Sequence, residues 1–203
     1  KQTFHNMKSF MFKMLLILSL LYSIFEIVSL ILLENIHINI LNMAFWKFQF
    51  TLGLLYQLIF YYYIFNAFSE KENKSFKEFI SAGLMPKIIS GIFIVIIIAF
   101  IVIPVSQQNP EKINFIPNYT IYIYILSVLI IIVTTILGLF KTKKERIQKK
   151  KKYFILSIFI PVITIVLQIM FTNISFLPFG IVLQLYSLYF FVENPDLEIL
   201  EEI

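Results

Sequence analysis

The chain has 203 residues, of which 59% are hydrophobic and only 14% charged, and its mean hydropathy is +0.85. Soluble domains carry about 25% charged residues, so this composition excludes an ordinary soluble globular domain. There is no cysteine and only two histidines, which excludes disulfides, thiolate metal sites and cysteine nucleophiles and leaves little for imidazole chemistry.

A helix that crosses the hydrocarbon core needs about 20 mostly apolar residues. The first such run is 14–33, behind Lys1, Lys8 and Lys13. It is too long for a signal-peptide core and has no small-residue cleavage site after it, so it reads as a retained span. Glu26, in "YSIFEIVSL", sits near its middle. A carboxylate there costs about 3 kcal/mol on insertion scales and should be protonated or paired, facing the bundle interior. It is either a sensing group (a ligand contact, proton site or switch) or one end of an interhelical hydrogen bond. The partners expected for that bond are Gln57, Gln168 and Gln184, and Tyr22, Ser23 and Ser29 add polar character to its face.

The second run, 48–68, contains Gln57 and the aromatic stretch "YQLIFYYYIF"; the third is 88–106; the fourth, 119–140, opens with "YTIYIYIL". These aromatics read mainly as interface belts. A sharper reading has Tyr119, Tyr122 and Tyr124 roofing an outer pocket. The fifth run, 153–171, carries Pro161 and Gln168, and the sixth, 174–192, carries Pro178, Gly180 and Gln184. Only 172–175 separates the two, which predicts a tight hairpin at the membrane surface. Pro104, Pro161 and Pro178 are expected to kink or end helices. Gln57, Gln168 and Gln184 read as packing glue between helices, and as ligand contacts beside Glu26 in the functional reading.

Orientation follows the cations. "KTKKERIQKKKK" holds eight of them between the fourth and fifth runs. With that loop in the cytoplasm, Lys71, Lys74, Lys77 and Lys87 and the N-terminal Lys1, Lys8 and Lys13 also fall inside, and only Lys47 and Lys112 fall outside. The fold class expected is therefore all-α: a polytopic bundle of six transmembrane helices (1–192) in the cell membrane, with both termini cytoplasmic. The basic loops read as topology determinants lying on anionic headgroups, each cation worth about 1 kcal/mol, and not as a nucleic-acid surface. His5 and His37 lie in separate loops, and the chain has no phosphate-binding glycine loop, zinc motif or nucleophile–base pair. No catalytic residue, metal site or cofactor is expected in this segment.

The last stretch, "FFVENPDLEILEEI", stops being apolar at Glu193. Asn194 suits an N-cap, Pro195 the first helical position, and Glu193, Asp196 and Glu198 the positive end of a helix dipole. Leu197, Leu200 and Ile203 start a stripe at helical spacing. So short a helix is marginal alone. It is expected to continue beyond Ile203 and to pair as a parallel coiled coil.

A many-span bundle running aromatics into Glu193, Asn194, Pro195 and Asp196 resembles the membrane input region of bacterial sensor histidine kinases, closest to those of low-GC Gram-positive relatives. That family often has seven or more spans, and Lys1 is not an initiator, which leaves room for a helix upstream. The resemblance implies a cytoplasmic signalling helix over 193–203, a homodimer through the coiled coil, a missing kinase part and a response regulator as its partner. Glu26, Gln57, Gln168 and Gln184 are then the sensing candidates, and Glu193, Asn194, Pro195 and Asp196 the transmission segment. A diguanylate-cyclase output is a variant of the same reading. The rival from another class is a six-span small-solute transporter or substrate-binding membrane subunit. Against it stand the lack of a repeat between the two halves and a single midplane acid.

Overall fold

The computed structural model describes residues 7–35, 39–68, 84–102, 118–141, 145–171 and 175–190. Within them the protein is all-helical: α1 (Met7–Asn35), α2 (Asn39–Phe68), α3 (Leu84–Val102), α4 (Asn118–Lys141), α5 (Glu145–Met170) and α6 (Leu177–Leu188). Each of the six apolar runs has a helix in it. Three helices are long and apolar enough to cross a membrane, over Ser9–Ser29, Lys47–Asn66 and Lys152–Met170. Lys87–Val102, Ile125–Gly138 and Leu177–Leu188 are shorter apolar stretches.

The bundle is apolar on its outside as well as in its core. Its outward faces carry Leu16, Ile17, Leu20, Ile24 and Ile27 on α1, Ile94, Val95 and Ile98 on α3, and Phe159, Ile163 and Val166 on α5. Its buried positions include Ser19, Ser29, Gln49, Gln57, Ser127, Thr135, Ser157, Thr164, Gln168 and Gln184. Apolar surface on that scale is a liability in water and a fit for hydrocarbon.

α2 is the central helix. It packs on α1, α3 and α4; α5 joins α4 to α6, and α6 returns to α1, so that the neighbours close a ring. Helices buried on every side are apolar all round. Tyr56, Phe60, Tyr61, Tyr62 and Tyr63 are accordingly all buried. This corrects the expectation of an interfacial belt for "YQLIFYYYIF": the packing of α2 on α1, α3 and α4 takes these aromatics into the core. Tyr122 is 70% exposed and points away from the bundle, so it roofs no pocket; the side chains of Tyr119 and Tyr124 lie outside the described residues.

Two further boundaries differ from the sequence reading. The basic segment expected as a loop is helical from Glu145 onward, because Glu, Arg, Gln and Lys are good helix formers. The last helix begins at Leu177, with Pro178 in its first turn, where proline's missing N–H costs nothing. Pro178 therefore starts this helix. Pro161 lies inside α5.

α5 and α6 meet closely. A Cβ added at Gly180 would lie 2.8 Å from Thr164 Cβ and 2.7 Å from its Cγ2. Glycine is the side chain that lets the two backbones approach here. α3 is pinned to α2 near both of its ends. Lys47 Nζ donates to the Ile101 carbonyl at 2.7 Å, and the Tyr62 and Ser90 hydroxyls share a short hydrogen bond.

Candidate functional site

The bundle holds two buried polar layers, and the helix registers place them. On α1 and α2, Phe12 meets Tyr63 (ring centroids 6.3 Å apart), Phe25 meets Phe48 (4.6 Å) and Ser29 Oγ donates to Gln49 Oε1 (3.3 Å). The two helices are therefore antiparallel. Phe12 also stacks on Tyr189 at 6.3 Å, and Tyr56 OH donates to the Ile181 carbonyl at 3.4 Å. Tyr189 is thus level with Tyr63, and Ile181 with Tyr56, so α6 runs parallel to α2 in one consistent register.

The first layer is built around Glu26. Its carboxyl is half-buried and lies against the Ser175 side chain, just ahead of α6. On the next turn of α1, the buried Ser29 hydroxyl shares its hydrogen between the Glu26 carbonyl (2.9 Å) and Gln49 Oε1 on α2. From α5, Gln168 Oε1 accepts the backbone N–H of Phe176 at 2.7 Å. Phe176 is the residue that caps α6, and its carbonyl takes the first helical bond, from Gly180 N–H at 2.9 Å. Two helices, α1 and α5, therefore reach 175–176 at the root of α6. One carboxyl and one amide hold the root of the last helix to α1 and α5.

This layer lies off the middle of the first span, where the sequence reading put Glu26. Gln49 is two residues from Lys47, which reaches Ile101 near the end of α3. The extra length of α1 at its start is the reason: the helix begins at Met7, seven residues before the apolar run. The partner of Glu26 is also new. Sequence reading offered three glutamines, and the side chain placed against Glu26 is Ser175, just ahead of α6. Gln49 was missed altogether. Its position, one residue inside the 48–68 run and opposite the Glu26 end of α1, was the signal that could have found it.

The second layer lies about 12 Å further along the bundle, eight residues at 1.5 Å each. Gln57 and Tyr61 stand one turn apart on one face of α2. The register of α6 puts Gln184 level with the stretch between them. Each is 1% exposed. Gln57 Oε1 and Nε2, Tyr61 OH and Gln184 Oε1 have no hydrogen-bond partner among the described residues; Thr135 Oγ1 on α4 is a further such atom. A buried polar atom without a partner costs about 1–3 kcal/mol. Among the described residues these atoms of Gln57 and Gln184 make no interhelical hydrogen bond, whereas Gln168 bonds to the N–H of Phe176.

Among the described residues no group of three or more His, Cys, Asp or Glu side chains comes together. Glu193, Asn194, Pro195 and Asp196 lie outside the described residues. Comparison with protein-family models, with characterised proteins and with solved structures returns no match.

Proposed function

We propose that the chain is the membrane input region of a sensor protein of the histidine-kinase type. In this reading all six helices cross the bilayer, both termini are cytoplasmic, and the Glu26 layer lies toward the outer side. The observation that carries it is the placement of the Ser175 side chain against Glu26, beside the bond from Phe176 N–H to Gln168. It couples a carboxyl on the first helix to the root of the last one, which leads toward Glu193, Asn194, Pro195 and Asp196. A stimulus that binds the two bundle states unequally, by making or breaking this latch, moves α6 relative to α1. The 193–203 segment then hands that motion to a cytoplasmic coiled coil in a homodimer, and the kinase part to a response regulator.

The reading is tested by following the coding frame past Ile203 and assaying the full-length product. An amphipathic helix leading to a phosphoacceptor histidine is expected, with autophosphorylation whose stimulus response Glu26→Gln shifts at least fivefold. A stop codon at that point, or a response unchanged in both Glu26→Gln and Ser175→Ala, would overturn it.

One observation favours a second reading. The unpartnered Gln57, Tyr61 and Gln184 suit a protein that carries a small solute. Flux of a candidate solute through liposomes holding the chain, with no output domain attached, would favour transport.

A further inference from the structure

We propose that the inner layer is a binding site for a small uncharged molecule carrying a hydroxyl or carboxamide group on an apolar body. The site is distinct from the Glu26 latch, and it stands whether occupancy signals or is carried.

Three features give the ligand its chemistry. The first is the set of idle hydrogen-bonding atoms. Gln57 offers a carbonyl and an amide N–H₂, Tyr61 a hydroxyl and Gln184 a carbonyl, all buried and all without partners among the described residues. A matching group must accept from the Gln57 amide and donate to a glutamine carbonyl. A carboxamide or a hydroxyl does both, whereas an ether or a pure hydrocarbon does not.

The second feature is charge. The charged side chains that the structure places are Lys13, Glu26, Lys47, Lys87 and Lys152. Of these, Lys13, Lys87 and Lys152 are exposed, and Glu26 and Lys47 belong to the outer level. Nothing in the inner layer would balance an ion in surroundings of low dielectric, so the ligand is uncharged.

The third is the wall. Tyr56 crosses from α2 to the α6 backbone and stacks on Phe60 (centroids 6.4 Å), and both side chains are fully buried. A flat aromatic surface beside a few polar atoms is the usual make-up of a small-molecule site.

Photolabelling of the whole chain in lipid nanodiscs tests this. The probe is a hexanol bearing a diazirine, with the same diazirine on a plain hexane chain as the control. Labelling by the alcohol is expected to saturate, to fall on the α2 and α6 segments around Gln57 and Gln184, and to be displaced by hexanamide. It should drop at least tenfold in the Gln57→Leu, Gln184→Leu double variant. Should that variant fail to assemble, Tyr61→Phe removes one hydroxyl only and is expected to lower labelling about threefold. Labelling that rises without saturating, that the hexane probe matches, or that the variants leave unchanged would overturn the site. Ordered water alone in the layer, with no specific labelling, would overturn it as well. Glu26→Gln is expected to leave labelling unaltered, which separates the fate of this site from that of the latch.

Discussion

The two polar layers use the same side chain to opposite ends. In the outer layer, Gln49 and Gln168 are bonded, to Ser29 and to the backbone of Phe176. In the inner layer, at the level of Gln57 and Gln184, the two amides are as deeply buried, and atoms of both have no partner among the described residues. Burial of an amide is therefore not a measure of its role. Where the amide is satisfied it holds helices together. Where it is left open it stores an unfavourable term that a second molecule, or another packing, can relieve.

The largest effect is expected where the helices that carry the two layers meet. Gly180 lies between Phe176 and Gln184 along α6, against Thr164. Gly180→Val would drive a branched side chain into α5 and cost about 3 kcal/mol, at the upper end of overpacking penalties. Reversible unfolding in mixed detergent micelles measures it. Because α6 carries Gln184 and follows directly on Ser175, both layers should loosen together. Loss of inner-layer labelling with an unchanged outer layer would show that the two layers are independent of each other.

Replacing one glutamine in each layer by leucine comes next, and the two signs should differ. Gln168→Leu leaves the Phe176 N–H without its acceptor and is expected to cost about 2 kcal/mol. Gln57→Leu removes two idle polar atoms at similar volume and is expected to stabilise by about 1 kcal/mol, since an apolar isostere relieves an unmet desolvation cost. The same unfolding assay reads both. If Gln57→Leu destabilised as much as Gln168→Leu, the inner layer would be bonded in the membrane and the contrast would fail.

The sequence carried part of this contrast. Hydropathy alone located the six helical segments, and the unusual acid in the first run, Glu26, does belong to a buried polar layer. What it could not carry was register. Which residue faces Glu26 depends on how α5 and α6 are aligned, through contacts such as that of Gly180 with Thr164, between residues on two helices. The role of the aromatic run 56–65 was misread for a related reason. Tyrosines at the end of a span look like a belt until one knows that α2 packs on three other helices there. Gln49 escaped because a glutamine beside a lysine at the edge of an apolar run looks like the water boundary.

The smallest expected effect is the coupling between Ser29 and Gln49, and it sharpens the comparison most. A double-mutant cycle of Ser29→Ala and Gln49→Leu isolates their hydrogen bond from everything else each side chain does. Interhelical bonds of this kind in membranes average about 0.6 kcal/mol, because the separated helices also find polar partners. The Ser29 hydroxyl already has the Glu26 carbonyl of its own helix at 2.9 Å, nearer than Gln49 Oε1 at 3.3 Å. The Gln49 bond is thus the weaker half of a shared donor, and a coupling near 0.5 kcal/mol is expected. A coupling above about 1.5 kcal/mol would mean that the Gln49 amide, not the serine, holds α1 to α2 here. A coupling of zero would mean that Ser29 is satisfied within α1 alone. The outer layer would then rest on the two contacts at the root of α6, of Ser175 with Glu26 and of Phe176 with Gln168.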